Sequence, residues 1–312
     1  KVWFGRCIFL SFYCERGTCT FCFRSTTKHQ VKHPSKARRS IPSILAEAML
    51  IKAFGWRIEF LTGGYGILDD KQLLRIIKNV SALLEEKIWV NLGEIGTHLL
   101  AEMQPYVQGI VSSIETVEPA LHKQVCPDKP ITPYVEMIKK GHELGFKQSM
   151  TIVIGLGEKK QDFALLAKFI EKNGIKRITI YALRPVANTA FRKGPDPLDV
   201  AWWIAKTRIA FPTIEIVAGS AIYRLPEISL LLQAGANAIT KLPATKMFNT
   251  SKGLALEEEI RKADRVFTGK FTSANPQGEA NWEAMLERTD LGAKEKEEVK
   301  AKLQDYLQQI SR

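Results

Sequence analysis

Two patterns of apolar residues alternate along the chain, one typical of β-strands and the other of amphipathic helices. Short β-prone apolar runs predict strands at 6–12, 57–62, 87–92, 109–114, 146–154, 177–183, 213–218 and 236–241. Apolar residues at helical spacing predict helices at 43–54, 69–86, 96–105, 132–144, 161–172, 198–210, 226–234 and 254–263. The basic stretch 24–42 lacks either period and is predicted to be a loop.

Each predicted strand is followed by a predicted helix, and this order predicts parallel strands. Eight such units favour an α/β fold of the (β/α)8, TIM-barrel type. An open doubly wound sheet is the alternative, but its usual Gly-x-Gly-x-x-Gly turn does not follow the first strand. We therefore predict a barrel domain at 1–269 and a C-terminal helical extension at 270–312, with charged helices at 279–288 and 293–310.

The strands of such a barrel place alternate side chains in the lumen and against the helices. If the apolar positions face the helices, the hydrogen-bonding residues Asn91, Thr151 and Tyr181 face inward. Because a plain barrel fills its lumen with aliphatic side chains, polar inward positions predict a cavity for a polar ligand. Arg184 and Arg224 follow the sixth and seventh strands, where an arginine fork suits a carboxylate or phosphate. We expect these five residues to contact an anionic substrate. The alternative for the two arginines is that one binds a cofactor carboxylate and the other forms an ion pair at the rim of the barrel.

Composition narrows the class of protein. The 312 residues are 45% hydrophobic and 25% charged, as in ordinary globular proteins. No apolar run reaches the ~18 residues of a membrane span, so we expect no membrane partner. Five cysteines are too few and too clustered for a secreted disulfide framework, which predicts a cytoplasmic protein. The net charge of +12 is scattered, and its one dense run, 28–39, has no aromatic residue for base stacking, which argues against nucleic acid.

Three thiols follow the first strand directly, at Cys14, Cys19 and Cys22. Thiolates are the soft ligands that hold zinc ions and iron–sulfur clusters. Three protein ligands would leave one iron of a [4Fe–4S] cluster open, as a catalytic centre requires. A zinc site would instead recruit His29 or His33 as its fourth ligand. The spacing alone leaves both alternatives open.

Together with the eightfold repeat, these motifs resemble the radical S-adenosylmethionine (SAM) superfamily. The chain carries Gly63-Gly64 after its second strand and Gly155-Leu-Gly157 after its fifth, as members of that superfamily do. Gly93-Glu94 and the stretch from Glu115 to Asp128 resemble the branch of biotin synthase and the [FeFe]-hydrogenase maturase HydE. The Cys-x4-Cys-x2-Cys spacing, longer than the usual Cys-x3-Cys-x2-Cys, resembles most the HmdB (HcgA) group associated with [Fe]-hydrogenase.

The resemblance implies an enzyme that reductively cleaves SAM at a [4Fe–4S] cluster to give a 5′-deoxyadenosyl radical, in biosynthesis of the guanylylpyridinol cofactor of [Fe]-hydrogenase. Its metal-ligating and catalytic residues would be Cys14, Cys19 and Cys22. Its cofactor-binding residues would be Tyr13, Phe21, Gly63, Gly64, Glu94, Glu115, Gly155, Gly157, Leu183 and Arg184. The implied partners are a small-molecule substrate and a low-potential electron donor such as a ferredoxin or flavodoxin.

This chain departs from the branch pattern at one position. Where the branch has an arginine for the SAM carboxylate, this chain has Tyr134 and Val135. The alternatives are that Lys139 or Arg184 replaces the arginine, or that the carboxylate is held in a different way.

Two alternative functions stay open. One is a radical SAM enzyme acting on another small molecule, for example by biotin-type sulfur insertion. The other is a non-catalytic zinc protein that binds nucleic acid. Cys7 and Cys126 are expected to be buried small hydrophobes, too few to hold a second cluster alone.

Overall fold

The computed structural model describes residues 1–66 and 68–311. Parallel strands form its centre, with bounds β1 (Trp3–Phe9), β2 (Arg57–Thr62), β3 (Ile88–Asn91), β4 (Val107–Glu115), β5 (Lys147–Ile154), β6 (Arg177–Ala182), β7 (Glu215–Gly219) and β8 (Ala238–Thr240). Each strand pairs with its neighbours in sequence, and β1 pairs with β8, so the sheet is closed. The predicted (β/α)8 barrel is confirmed.

Helices connect the strands and cover the outside of the barrel. Their bounds are α1 (Phe23–Thr27), α2 (Ile41–Ala53), α3 (Asp70–Leu84), α4 (Thr97–Met103), α5 (Pro119–Val125), α6 (Thr132–Glu143), α7 (Phe163–Lys172), α8 (Pro197–Ala210), α9 (Ile228–Gln233), α10 (Ala244–Met247), α11 (Ser251–Lys262), α12 (Trp282–Leu286) and α13 (Ala293–Ile310). Several begin at side-chain caps that accept a backbone amide hydrogen bond, as Ser40, Asp69 and Asp196 do for α2, α3 and α8. Within the described part of the chain, no helix is long and apolar enough to cross a membrane.

The prediction of a loop at 24–42 is wrong in part. Helix α1 lies there, followed by 3-10 turns at Lys28–Gln30 and Pro34–Ala37. The hydroxyls of Thr26 and Thr27 both donate to the carbonyl of Phe23, at 2.9 and 3.0 Å. Such local bonds hold a single helical turn without an apolar period, which is why the sequence pattern did not predict it.

The strands present different residues to their two sides, as the alternation predicted. Met150 and Ile152 of β5 and Ile178 and Ile180 of β6 are buried in the main core between barrel and helices. The polar residues at alternate positions face the lumen, and Asn91, Thr151 and Tyr181 line a cavity there. The lumen is therefore polar on several strands, unlike that of a filled barrel.

The described part of the C-terminal segment, 270–311, packs on the outer side of the barrel, where α13 lies against α2. Val299, Leu303 and Leu307 of α13 are buried in the main core. The hydroxyls of Tyr306 and Ser43 share a hydrogen bond of 2.8 Å. This segment contributes apolar core, and its treatment as a separate extension stays a prediction.

Candidate active site at the carboxyl end of the barrel

A cavity of about 1010 Å³ opens at the carboxyl ends of the strands. This is the end at which barrels of this type carry their chemistry, and the volume suits a small-molecule site. Its wall carries one acidic residue, Glu115, and eight basic ones: Arg6, Arg16, Arg24, Lys129, Arg184, Lys241, Lys246 and Lys252. The predicted cluster ligands Cys14, Cys19 and Cys22 all line this cavity.

The cysteine loop between β1 and α1 is fixed from several sides. The Lys28 ammonium donates to the carbonyls of Glu15 and Arg16, to the latter at 3.0 Å, and so closes the loop on itself. The amide of Thr20 donates to the carbonyl of Val125 at 2.9 Å, which ties the loop to α5. Cys22 then occupies the cap position of α1. The loop is thereby held at the cavity edge without any contribution from disulfides, because all five cysteines are free.

The turn at Gly63-Gly64 packs directly against this loop. A Cβ atom on Gly64 would lie 2.1 Å from the carbonyl oxygen of Tyr13 and 2.5 Å from the Cα of Cys14. Both neighbours are backbone, so no side chain can be accommodated at this position. The close packing fixes Cys14, and the amide of Tyr65 donates to its Sγ at 3.4 Å.

The three thiols have different surroundings. Burial raises the pKa of Cys22, whereas a hydrogen bond with the Cys126 thiol lowers the pKa of Cys19. Across residues 1–66 and 68–311, no group of three or more His, Cys, Asp or Glu side chains lies close enough together to hold a metal ion. His29 and His33, the ligands of the zinc alternative, are exposed. Three soft donors on the wall of an open cavity nevertheless fit the chemistry of a cluster with one open iron.

A buried ion pair lies across the cavity. The Lys129 ammonium is 2.6 Å from the Glu115 carboxylate, and the side chains are only 8% and 14% exposed. Glu115 ends β4 with a φ of 65°, a left-handed conformation that is costly for a non-glycine residue and typical of functional sites. Burial lowers the pKa of Lys129, but the charges of Glu115, Tyr134, Cys126 and Cys19 together outweigh burial, so the pKa lies well above its usual range. Sequence analysis did not predict that Lys129 belongs to the site, because it lies in a segment whose apolar residues follow neither the strand nor the helix period.

The residues around this pair correct two predictions. Tyr134, which replaces the branch arginine, is buried, and its hydroxyl shares a hydrogen bond with that of Tyr65. Arg16 lies 4.0 Å over the Tyr65 ring and binds both oxygens of Glu94, at 2.9 and 3.0 Å. Glu94 is therefore occupied by Arg16 and does not line the cavity. Lys139 is exposed on α6, also off the cavity wall.

A buried carboxylate organises the floor of the lumen. Glu59 accepts hydrogen bonds from the Cys7 thiol at 2.8 Å, the Tyr181 hydroxyl at 2.7 Å and the Thr179 hydroxyl at 3.0 Å. A register shift between Arg6 and Cys7 in the β1–β2 pairing makes room for it, as bulges near active sites often do. Cys7 is buried in an apolar cluster with Phe60, Trp89 and Val111, as expected, and it also lines the cavity as a hydrogen-bond donor. Burial raises the pKa of Cys7 and of Tyr181, so both keep their protons at neutral pH.

The remaining predicted cofactor-binding residues divide into two sets. Those that line the cavity are Phe21, Gly63, Gly64, Glu115, Leu183 and Arg184. Those that do not are Tyr13, Glu94, Gly155 and Gly157. Gly155 lies behind Leu183, and its amide donates to the Glu158 carboxylate at 2.7 Å. Phe21 and Leu183 belong to one apolar cluster on the cavity wall, together with Val153 and Cys126.

Among the predicted substrate residues, Arg224 is misplaced. Asn91, Thr151 and Tyr181 line the cavity, but Arg224 does not. Its guanidinium lies 2.8 Å from the Glu227 carboxylate and donates to the carbonyl of Pro195 at 2.9 Å. The side chain is buried in these contacts because the chain after β7 forms a 3-10 turn, Ile222–Glu227, that directs it away from the lumen.

Comparisons with known proteins agree with this site. A model of the Radical SAM superfamily matches residues 8–170. An uncharacterized protein of Methanocaldococcus jannaschii is 36% identical over 274 residues, which cover 87% of this chain and 76% of that protein. Biotin synthase of Carboxydothermus hydrogenoformans is 24% identical over 254 residues, or 78% of this chain and 76% of that enzyme.

Two solved structures share the fold. Methylornithine synthase (PylB) superposes with a TM-score of 0.65 at 19% identity, over 77% of this chain and 72% of its own. The FeFe-hydrogenase maturase HydG from Carboxydothermus hydrogenoformans gives a TM-score of 0.67 at 15% identity, over 98% of this chain and 78% of its own. With a family match over half of its residues, the chain belongs to the radical SAM superfamily, enzymes that use a [4Fe–4S] cluster and S-adenosylmethionine.

Proposed function

We propose that this radical SAM enzyme acts in biosynthesis of the guanylylpyridinol cofactor of [Fe]-hydrogenase, on an anionic small molecule bound in the barrel lumen. The resemblance of the Cys-x4-Cys-x2-Cys motif and of Gly63-Gly-Tyr-Gly66 to the HmdB group supports the pathway. The evidence for a negatively charged substrate is the cavity wall, which has eight basic residues and one acidic residue. A cavity of one sign concentrates ligands of the other sign.

The basic residues on the wall are not all equally available to a ligand. Arg6, Arg16 and Lys129 are ion-paired with Glu47, Glu94 and Glu115. Within the described residues, five have no carboxylate partner: Arg24, Arg184, Lys241, Lys246 and Lys252. We assign these unpaired cations to the substrate side of the cavity.

The chain's own residues then have distinct roles in this proposal. Cys14, Cys19 and Cys22 would hold the cluster, and Phe21 and Leu183 offer apolar surface for the adenine of SAM. Glu115 and Lys129 present one negative and one positive charge, which match the ammonium and carboxylate of the methionyl group. When bound, the reduced cluster and SAM supply a 5′-deoxyadenosyl radical that removes a hydrogen atom from the substrate.

The floor of the lumen would position the substrate. Glu59 holds the Tyr181 hydroxyl and the Cys7 thiol in fixed directions, so both present defined polar atoms to a ligand above them. Thr151 and Asn91 add hydrogen-bonding groups at the same level.

Cysteine variants test the cluster assignment. After anaerobic reconstitution, replacing Cys14, Cys19 or Cys22 with Ala should abolish both the iron–sulfur absorption and reductive SAM cleavage. Cys7→Ala and Cys126→Ala should keep both, because neither thiol is assigned to the cluster. A Cys19→Ala protein that retains a full cluster and cleaves SAM would contradict the assignment. A colourless protein with bound zinc would instead favour the zinc alternative.

Anaerobic turnover tests the pathway. The enzyme is incubated with SAM, a reductant and candidate pyridinols, and 5′-deoxyadenosine is followed. Formation that depends on a pyridinol supports the proposal, and no dependence on any of them contradicts it. Biotin-type sulfur insertion is a second candidate because of the 24% identity to biotin synthase. Sulfur insertion would require a sulfur source in the lumen. The thiols outside the proposed cluster are Cys7, which lines the cavity, and Cys126, which lies beside Cys19.

A further inference from the structure

The part of the cavity wall that follows β7 and β8 carries polar and basic side chains. The proposed function assigns them to the substrate in general, without saying which chemical group they bind. Ser220 follows β7 directly, and Lys241 follows β8 directly. Lys246 of α10 and the residues 250–252 at the start of α11 complete this wall. We call this set, Ser220, Lys241, Lys246 and 250–252, the β7–β8 wall.

Three lysines give the β7–β8 wall a concentrated positive charge. Lys241 has a φ of 70°, a left-handed conformation that holds its side chain over the rings of Phe9 and Tyr181, at 5.3 and 5.1 Å. Lys246 and Lys252 are exposed to the cavity mouth. Within the described residues none of the three has a carboxylate partner, so their positive charge is not neutralised by an ion pair within the protein.

The backbone adds hydrogen-bond donors at the same place. Helix α11 is 12 residues long, and Thr250 at its cap position makes no side-chain capping bond. The Thr250 hydroxyl instead donates to the carbonyl of Met247 at 2.7 Å. The first amides of α11 therefore have no side-chain acceptor, and such amides at a positive helix end favour an anion.

A buried hydroxyl on this wall also lacks a partner. Ser220 is 5% exposed, and its Oγ makes no hydrogen bond within the described residues. Buried polar atoms are almost always paired, so an unpaired hydroxyl on a cavity wall that also carries unpaired cations is available to bind a ligand atom. This observation is independent of the helix end and of the lysines.

We propose that the β7–β8 wall binds a phosphoryl group of the substrate. Three ammonium groups and a helix N-terminus together suit a dianion with several acceptor oxygens better than a single carboxylate. Barrels of this type frequently bind phosphate after strands 7 and 8, at the start of an extra helix. The inference rests on the proposed function, because the phosphoryl group would belong to the molecule on which the radical acts.

Binding of two matched probes tests the proposal. Phenyl phosphate and benzoate share one ring and differ in their anionic group, and exposed Phe12 and Tyr223 at the cavity mouth offer the ring a surface. Each probe is titrated by calorimetry into the reconstituted enzyme saturated with SAM. Phenyl phosphate should bind more tightly than benzoate. Lys241→Met, Lys246→Met and Lys252→Met should each weaken its binding by about tenfold.

A matched control variant and a measurement on the wild-type protein show whether an effect is specific to the β7–β8 wall. Lys172→Met changes an exposed lysine in the last turn of α7, off the cavity wall, and should bind phenyl phosphate as the wild type does. In the wild type, bound phenyl phosphate should protect Lys241, Lys246 and Lys252 from acetylation while Lys172 stays reactive. Equal affinity for both probes, unprotected lysines, or wild-type binding in all three variants would overturn the proposal.

Failure of the site and failure of the proposed function give different results. If the site is wrong, phenyl phosphate does not bind at these lysines, whatever pyridinol turnover shows. If only the pathway is wrong, phenyl phosphate binds and the lysines are protected, but no pyridinol increases 5′-deoxyadenosine formation.

Discussion

Replacing Lys129 with Met should weaken SAM binding strongly, because it removes the cation that we assign to the methionyl carboxylate. Met has a similar length and leaves the apolar part of the side chain in place. A charge-assisted hydrogen bond lost from a semi-buried site costs about 1.5–3 kcal/mol, or roughly ten- to a hundred-fold in affinity. The substitution also leaves Glu115, 2.6 Å from the lysine in the wild type, without its partner. Breaking a buried pair costs about 3–5 kcal/mol, and we expect the lower end because both side chains reach the cavity.

Two ligands and one double variant separate the effects. Binding of SAM and of methylthioadenosine, which lacks the amino-acid part, is measured by calorimetry on reconstituted protein. Lys129→Met should lose affinity for SAM and keep its affinity for methylthioadenosine. Lys129→Met combined with Glu115→Gln should regain thermal stability, since no unpaired charge is left, but should not regain SAM affinity. Lys123→Met, an exposed lysine on α5, serves as the control for loss of positive charge.

One result would refute this reasoning directly. If Lys129→Met binds SAM as tightly as the wild type, the carboxylate lies elsewhere and the ion pair is structural. A parallel loss of affinity for both ligands would point instead to a collapsed cavity. Glu115→Ala should weaken SAM binding roughly ten- to a hundred-fold while iron content is unchanged, because we assign Glu115 to the methionyl ammonium rather than to the cluster.

Four further variants and one control variant test positions that the structure explains. Gly64→Ala should lower iron content sharply after reconstitution, because its Cβ would lie 2.1 Å from a backbone oxygen, whereas Gly96→Ala, with nothing within 4 Å, should not. Leu303→Ala should lower the free energy of unfolding by about 2–5 kcal/mol in thermal denaturation, with SAM affinity unchanged, since the residue is buried in core outside the cavity. Arg184→Gln should reduce substrate-coupled turnover, and Arg224→Gln should mainly reduce thermal stability, because only the former lines the cavity. The opposite pattern for the two arginines would contradict their placement.

The elements that sequence predicted well have long, clear periods. Strand β2 and helix α13 lie at the predicted bounds, Arg57–Thr62 and Ala293–Ile310, because each has an uninterrupted pattern that local sequence alone determines. Helix α10 was missed, since an element of four residues is too short for a helical period to be visible. Strand β8 is shorter than predicted because its pairing partners, β1 and β7, end its ladder at Thr240.

Site residues could be predicted from sequence when their motif directly follows a strand. They could not be predicted when the site depends on contacts between segments that are distant in sequence. The cysteine loop and Gly63-Gly64 follow single strands, so their arrival at one cavity follows from the fold class. Lys129 and Glu59 could not be found in this way. Glu59 collects donors from β1 and β6, and only the shifted register of β1 against β2 turns its side chain inward. Arg224 shows the reverse error, because its strand was right but the following turn directs it outward.

The two strained residues at strand ends explain how one cavity can serve two ligands. Glu115 after β4 and Lys241 after β8 both have left-handed backbones, at φ 65° and 70°. Strain of this kind persists only where the surroundings enforce it, and each conformation fixes a charged side chain at the lumen. The acidic charge is paired with Lys129 and fits a zwitterion such as the methionyl group of SAM. The basic charge of Lys241 has no carboxylate partner in the described residues, so it fits a ligand that brings negative charge of its own. In our proposal, charge pairing, rather than cavity shape alone, therefore separates the SAM side from the substrate side.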